Sequence, residues 1–176
     1  MADQIIIYGS KYGSSRRYAV ELSRRTGIPA FDARDRYDLS AYGTVIYFGG
    51  LYAGCVEGLS KVIHHTPDDG RRRWIIATVG LSDPSEPSTV RDIGAALRRQ
   101  IPAGVYGHAS FFHLRGAMDY SKLSPGHHVM MKLMCLSLKK TPPEKRSAST
   151  QAMIDTYGRK VDFVDFTTLE PILAAL

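Results

Sequence analysis

The stretch Ile5-Ile6-Ile7-Tyr8-Gly9-Ser10-Lys11-Tyr12-Gly13-Ser14-Ser15-Arg16-Arg17-Tyr18-Ala19-Val20-Glu21-Leu22 decides the fold class. Three isoleucines in a row suit a strand buried on both faces, because β-branched side chains pack well on a pleated surface. The run stops at Gly9, crosses a small polar loop and passes into a helix opening at Ser15-Arg16-Arg17. A helix start carries unpaired N–H groups and the positive end of the helix dipole. The hydroxyls of Ser10, Ser14 and Ser15 surround that start, while Gly9 and Gly13 allow a close backbone approach. The spacing predicts a cradle for a phosphate-sized anion. A plain strand-to-helix connection with a serine cap reads the same way from this stretch alone.

The design recurs along the chain. The first helix runs to about Arg25, Gly27-Ile28-Pro29 stops it, and Ala30-Phe31-Asp32 reads as a short edge strand. Thr44 to Phe48 is a second buried strand ending at Gly49-Gly50, followed by Leu51-Tyr52-Ala53-Gly54-Cys55 and a helix from Val56 to His65. Pro67-Asp68-Asp69-Gly70 turns the chain back into the strand Arg73 to Val79 and the loop Gly80-Leu81-Ser82-Asp83-Pro84. Ser88 or Thr89 caps a helix to Arg99, and Val105 to His113 reads as the next strand.

Strands alternating with helices at this spacing predict a parallel sheet covered on both faces. A closed eight-unit barrel needs a longer chain than 176 residues. The fold class is therefore α/β, an open doubly wound sheet in three layers. Its ligand crevice lies where the loops at the carboxyl ends of the strands meet. The candidate loops are Gly9 to Ser15, Gly49 to Cys55 and Gly80 to Pro87.

One domain spanning residues 1–176 is expected, with 44 % hydrophobic and 23 % charged residues, ordinary for a soluble protein. No signal-like segment opens the sequence and no apolar run reaches the roughly 18 residues a membrane span needs. Two cysteines, Cys55 and Cys135, suit a reducing compartment, so a cytoplasmic location is expected. Most of the net charge of +6 is local. Between Arg115 and Arg146 seven basic residues stand against two acidic ones. Residues 114–150 thus read as a basic helical insertion near the last strand. Within it, Pro125 to Leu138 suits a helix with Val129, Met130, Leu133, Met134 and Leu136 as a broad apolar surface beside Lys132, Lys139 and Lys140. Such a surface serves internal packing or contact with a partner or a membrane surface. After a polar stretch from Thr141 to Thr150, a short helix over Gln151 to Tyr157 and a segment Val161 to Asp165 that finishes the sheet or docks across it precede a closing helix. Nucleic acid is not an expected partner, and His64-His65 and His127-His128 lack metal-ligand spacing.

With these loops in this order, the chain resembles flavodoxins, and more specifically the flavodoxin-domain family that contains menaquinone-dependent protoporphyrinogen dehydrogenase. The flavodoxin phosphate loop has a Ser/Thr-x-Thr-Gly-x-Thr pattern. Ser10, Gly13 and Ser15 fit it, and Tyr12 departs from it. Phe111 to Tyr120 resembles the segment before that family's long inserted loop, Val129 to Met134 its methionine-rich helix, and Val161 to Phe166 its closing strand.

The resemblance implies five parallel strands in the order 2-1-3-4-5 and a bound FMN. It assigns Ser10, Lys11, Tyr12, Gly13, Ser14 and Ser15 to the phosphate. Gly50, Leu51, Tyr52, Ala53 and Gly54 form the second flavin loop, with Tyr52 against the isoalloxazine. Gly80, Leu81, Ser82 and Asp83 meet the pyrimidine edge. Arg115 and Lys122 are placed to receive an anionic substrate or partner. The implied activity is FMN-dependent oxidation of a tetrapyrrole precursor with a quinone as electron acceptor, at a peripheral site on the inner membrane surface. Two alternatives stand beside it: a flavodoxin-like carrier that exchanges electrons with a partner protein, and an FMN-free binding scaffold. No side chain is assigned as catalytic, and no metal is expected.

Overall fold

Ile5, Ile6 and Ile7 are fully buried, as a strand flanked on both faces requires. The computed structural model describes residues 3–52, 54–66 and 72–176, with 148 and 149 described by backbone alone. In chain order it contains β1 (Gln4–Gly9), α1 (Ser14–Thr26), β2 (Ala30–Asp32), β3 (Thr44–Tyr52), β4 (Cys55–Val56) and α2 (Leu59–His64). Then follow β5 (Arg73–Gly80), α3 (Pro87–Gln100), α4 (Ala103–His108), β6 (Ser110–Arg115), β7 (Ala117–Asp119), α5 (Pro125–Lys139), α6 (Ala148–Thr156), β8 (Lys160–Asp162) and α7 (Glu170–Leu173).

The main sheet has the order β2-β1-β3-β5-β6, and these five strands are parallel. Leaving aside the two-residue β4, which pairs antiparallel with the end of β3, this is the expected 2-1-3-4-5 arrangement. The chain is a three-layer α/β fold. Alternation along β1 sends Ile5 and Ile7 to one face and Ile6 to the other. Ile5 and Ile7 pack with Leu59, Val62, Ile93 and Leu97 from α2 and α3. Ile6 packs with Tyr18, Ala19 and Leu22 of α1 and with Leu169 and Ile172 near the C-terminus.

Tyr18 shows how α1 is locked. Its ring stacks on Phe48 and meets Phe166 edge-on, and its hydroxyl donates to the Arg115 carbonyl at 2.8 Å and accepts from the Asp165 N–H at 3.0 Å. One fully buried phenol therefore ties the first helix to the end of β6 and to the closing segment.

The structure departs from the sequence expectations in four places. First, β3 does not stop at Gly49-Gly50: both glycines pair with β5, and the strand runs to Tyr52 before turning back at Gly54, φ 75°, into β4. A side chain at Gly49 would collide with Val56 and with the Tyr47 ring at 2.9 Å, so here glycine permits close packing inside a strand. Second, the helix expected from Val56 begins only at Leu59, because Val56 is used in the hairpin with β3. Third, the strand expected over Val105 to His113 is α4 followed by β6. The Ala109 N–H closes onto the Val105 carbonyl, and only from Ser110 does the chain join β5. Fourth, Val161 and Asp162 do not finish the main sheet but pair antiparallel with β7 in a separate two-stranded sheet. The closing helix is a 3-10 turn plus the four residues of α7. The turn expected at Pro67-Asp68-Asp69-Gly70 lies outside the described residues.

The segment after β6 is folded throughout its described length. Met118, Tyr120, Leu123 and Met131 form a third small core with Tyr12, Leu81, Met134, Tyr157 and Val161 packed against it. That cluster fastens α5 across the carboxyl ends of the strands, which decides what happens at the crevice.

Candidate functional site

Each candidate segment lies at the carboxyl end of a strand of the parallel sheet, the second of them largely within β3 itself, so the three converge by construction. Between them is a cavity of about 350 Å³, within the range of small-molecule sites. The first loop contributes Ser10, Lys11, Tyr12, Ser14 and Ser15 to its wall; the second contributes Gly50, Leu51, Tyr52 and Gly54; the third contributes Gly80, Leu81 and Ser82. Ala53 lies outside the described residues.

The first loop is built as a helix N-terminus open to a ligand. Gly13 is the N-cap of α1 with φ 91°, and no side chain caps the helix. The Ser10 hydroxyl accepts from the Gly13 N–H at 3.1 Å and so tightens the turn. No acidic residue sits in the first turn of the 13-residue helix, which leaves its positive end unopposed. Ser15 Oγ faces Gly50, where an added Cβ would sit at 3.5 Å. Ser14 behaves differently from its neighbours. Its hydroxyl accepts from the Ala117 N–H at 2.8 Å and donates to the Ala117 carbonyl at 3.4 Å. It joins α1 to β7, so its backbone rather than its hydroxyl is the group facing an anion.

Tyr12 takes the place of a small hydroxyl residue and turns inward. Its ring lies 6.2 Å from that of Tyr52 and 6.4 Å from that of His127, and the Tyr52 and His127 rings are 6.0 Å apart. Lys11 Nζ sits over the Tyr52 ring at 4.1 Å, and the Tyr52 hydroxyl donates to Met130 Sδ at 3.5 Å. Burial and the neighbouring Tyr52 push the Tyr12 phenol up to about 12. Its oxygen has no hydrogen-bond partner among the described residues.

The third loop is held from behind. The Gly80 carbonyl accepts from the Gly116 N–H at 2.7 Å, and the Leu81 carbonyl accepts from Arg115 Nη2 at 3.1 Å. Arg115 also lies over the Phe163 ring at 3.8 Å and faces Asp83 at 3.8 Å. Its guanidinium is thus a brace for the loop and does not line the cavity. Asp83 is also off the wall: it accepts from the Ser85 N–H at 2.9 Å, a bond that holds its carboxyl below the usual carboxylate range. Lys122 is exposed on the turn before α5, away from the cavity lining. Gly13 shapes the first loop without lining the cavity.

Sequence reasoning missed two parts of the wall. One is polar. His113 from β6 and Thr89 and Asp92 from α3 line the cavity. Thr89 is buried with no partner for its hydroxyl among the described residues. His113 Nδ1 and the fully buried Thr78 hydroxyl share a hydrogen bond of 2.8 Å. A polar side chain near the carboxyl end of the fifth parallel strand was the available signal. The other part is a roof: Met131, Met134 and Leu138 of α5 and Met153 of α6 close the crevice from above. Of the apolar surface read from helical periodicity, only Met134 belongs to this roof; Val129, Met130, Leu133 and Leu136 are exposed, and Met131 and Leu138 take their place in the wall.

Burial holds the His113 imidazole below its ordinary value of 6.5, so it is neutral at neutral pH. The unfolded chain then takes up a proton more readily than the folded one. The contribution of His113 is complete above 6.5 and is lost as the pH falls through and below that value. In thermal unfolding followed between about pH 7 and pH 5, the wild type should lose Tm more steeply than His113→Gln. Parallel curves would mean that the imidazole is not the group responsible.

Residues 5–145 match the flavodoxin domain family. The chain is a flavodoxin-domain protein. Among solved structures, it is similar to a protein named as a flavoprotein from Bacteroides uniformis at 10 % identity, over 65 % of this chain and 88 % of that one, TM-score 0.45. It is also similar to the WrbA-like flavodoxin from Agrobacterium tumefaciens at 12 % identity, over 72 % and 87 % of the two chains, TM-score 0.43. A third similar structure, a cysteine-to-alanine mutant of flavodoxin from Pseudomonas aeruginosa, is 17 % identical over 74 % and 92 %, TM-score 0.34. These likenesses are too distant to carry residue roles across. No protein of curated function matches the chain. Within the flavodoxin-domain family, FMN is the cofactor typically held at this crevice, and the residues here fit it. The open helix end suits a phosphate, and the buried Tyr12 and Thr89 hydroxyls lack partners that a polar ligand would supply.

Proposed function

We propose that the crevice holds FMN and that the protein is a flavodoxin-like redox protein that passes electrons to and from a partner. The supporting observation is one continuous cavity that runs from the N-terminus of α1, past the second and third loops, under the roof of α5 and α6. When bound, FMN supplies one- and two-electron chemistry. The chain's own residues bind and orient it. The amides of Ser14 and Ser15 and the Ser10 hydroxyl take the phosphate, Leu51 and Tyr52 form one wall, and Gly80 to Ser82 continue the wall beside Leu51.

The methionine and leucine roof favours a second reading, an FMN-dependent oxidoreductase with a large, flat, mainly apolar substrate. A thioether-rich wall adapts to large flat apolar molecules and excludes water. A tetrapyrrole precursor as electron donor and a quinone as acceptor are the substrates that suit such a wall. His113, neutral and in the wall, is the group placed to hold or move a proton there.

Flavin fluorescence during addition of FMN to the dialysed, folded protein tests the first reading. Saturable quenching with a Kd in the micromolar range or tighter is the expected result, and its absence overturns FMN binding. Photoreduced complex is then offered a quinone, and oxidised complex a tetrapyrrole precursor. Turnover supports the enzyme, whereas exchange with a reductase alone supports the carrier.

A further inference from the structure

We propose that the outward face of α5 docks onto a bilayer surface carrying anionic headgroups. The proposal does not depend on what the cavity holds.

A helix on the surface of a globular protein ordinarily has one apolar stripe, turned inward. Helix α5 has two. Met131 and Cys135 are buried and Met134 and Leu138 reach the cavity. On the opposite side Val129, Leu133 and Leu136 are 60 %, 62 % and 52 % exposed, while Met130, between the two stripes, keeps its sulfur on the Tyr52 hydroxyl. The spacing 129, 133, 136 is one helical row. Two other large apolar side chains stand out among the described residues, Val20 and Val90, and they lie on α1 and α3, apart from this row. The exposed apolar surface is therefore concentrated on one helix, the feature that marks an interaction site rather than a scatter of single residues.

Charge selects the partner. Helix α5 contains no acidic residue. Lys132 and Lys139, two turns apart, run alongside the apolar row; Lys140 follows Leu136 by one turn, and Lys122 precedes the helix. All four lysines are exposed. A second copy of the chain packed on the same row about a two-fold axis would bring these lysines together with like charges, which opposes association. A bilayer answers both features: its acyl boundary takes the leucines, and its anionic headgroups take the lysines, whose stems reach out from the apolar row. No described helix is long and apolar enough to cross a membrane. At 15 residues α5 is about 22 Å long and lies along the surface.

The test is sedimentation of the full chain with phosphatidylcholine vesicles, with and without phosphatidylglycerol. Binding to the phosphatidylglycerol vesicles, weakened by salt, is expected. The triple variant Lys132→Gln, Lys139→Gln, Lys140→Gln should bind on the order of a hundredfold more weakly, at about a fivefold loss per lysine near a charged surface. The double variant Leu133→Ser, Leu136→Ser should bind about tenfold more weakly. All these side chains are exposed, so both variants should keep the wild-type circular dichroism and Tm, which separates lost docking from lost folding. Three results would each overturn the proposal. They are no binding to phosphatidylglycerol vesicles by folded protein, equal binding to both vesicle types, and a dimer in sedimentation equilibrium that Leu133→Ser dissolves, which would assign the row to a second copy.

Discussion

FMN should bind the dialysed protein at least a hundredfold more tightly than riboflavin. The two differ only by the phosphate, so the ratio reports on the first loop alone. Gly13 begins α1 without a side-chain cap, and no acidic residue opposes the helix dipole. Hydrogen bonds to a charged group contribute about 1.5–3 kcal/mol each, and a helix end adds about 0.3–2 kcal/mol. Two amide bonds plus the helix end therefore exceed the roughly 2.8 kcal/mol that a hundredfold ratio represents. Gly13→Val provides the control. Its φ of 91° lies in the left-handed region, where a β-branched side chain costs about 1–3 kcal/mol. Relief of that strain moves the amides of Ser14 and Ser15, so FMN affinity should fall more than about tenfold while riboflavin affinity changes little. Equal affinities for the two flavins in titration calorimetry would remove the phosphate from α1 and with it the assignment of the first loop.

Gly9→Ala should cause the largest loss of stability from a single methyl group. Gly9 ends β1 beneath the turn that carries Glu57. A Cβ there would overlap the Glu57 carbonyl oxygen and sit 2.5 Å from the Tyr47 hydroxyl. That hydroxyl donates to the same Glu57 carbonyl in a short hydrogen bond, and the Tyr47 side chain is fully buried. The methyl group must therefore displace backbone and break a buried bond together. Overpacking costs about 1–3 kcal/mol and an unsatisfied buried partner about as much again. The expected total is about 3 kcal/mol or more, read as a lowered urea midpoint at unchanged slope. Tyr47→Phe alone should cost about 1–3 kcal/mol. In the double variant the two losses should not add, because both act on the same carbonyl. A Gly9→Ala protein as stable as wild type would show that the β1 end and the Glu57 turn have room to separate.

Both results concern glycines whose importance could be read only in part from the chain. Gly13 announced itself by position, between a β-branched run and a helix start. Gly9 and Gly49 looked like loop residues in the sequence, yet each is paired within a strand and packed against a segment that returns over it. The same limit explains β3. A double glycine reads locally as a break, but β5 on one side and β4 at the end extend the strand to Tyr52.

Arg115 shows the limit for charged residues. Its neighbourhood in sequence suggested a surface cation waiting for a substrate. In the fold, the carbonyl of Leu81 and the ring of Phe163, 34 and 48 positions away, occupy its guanidinium. His113 is the converse case, a residue with no motif around it that the β5–β6 register brings beside Thr78 and into the cavity wall.

Resemblance to the family supplied the strand order; the sequence by itself determined the layered α/β class and the three segments that bound the crevice. Each depends on short-range causes: β-branched runs, helix periodicity, and glycines at strand ends. Tertiary structure alone decided which polar groups face the crevice and that α5 and α6 roof it. It also decided that α5 keeps a second apolar row exposed beside its lysines. Those outcomes depend on docking between segments distant in the chain, and a helix with apolar residues on two sides carries no local signal for which side will be buried.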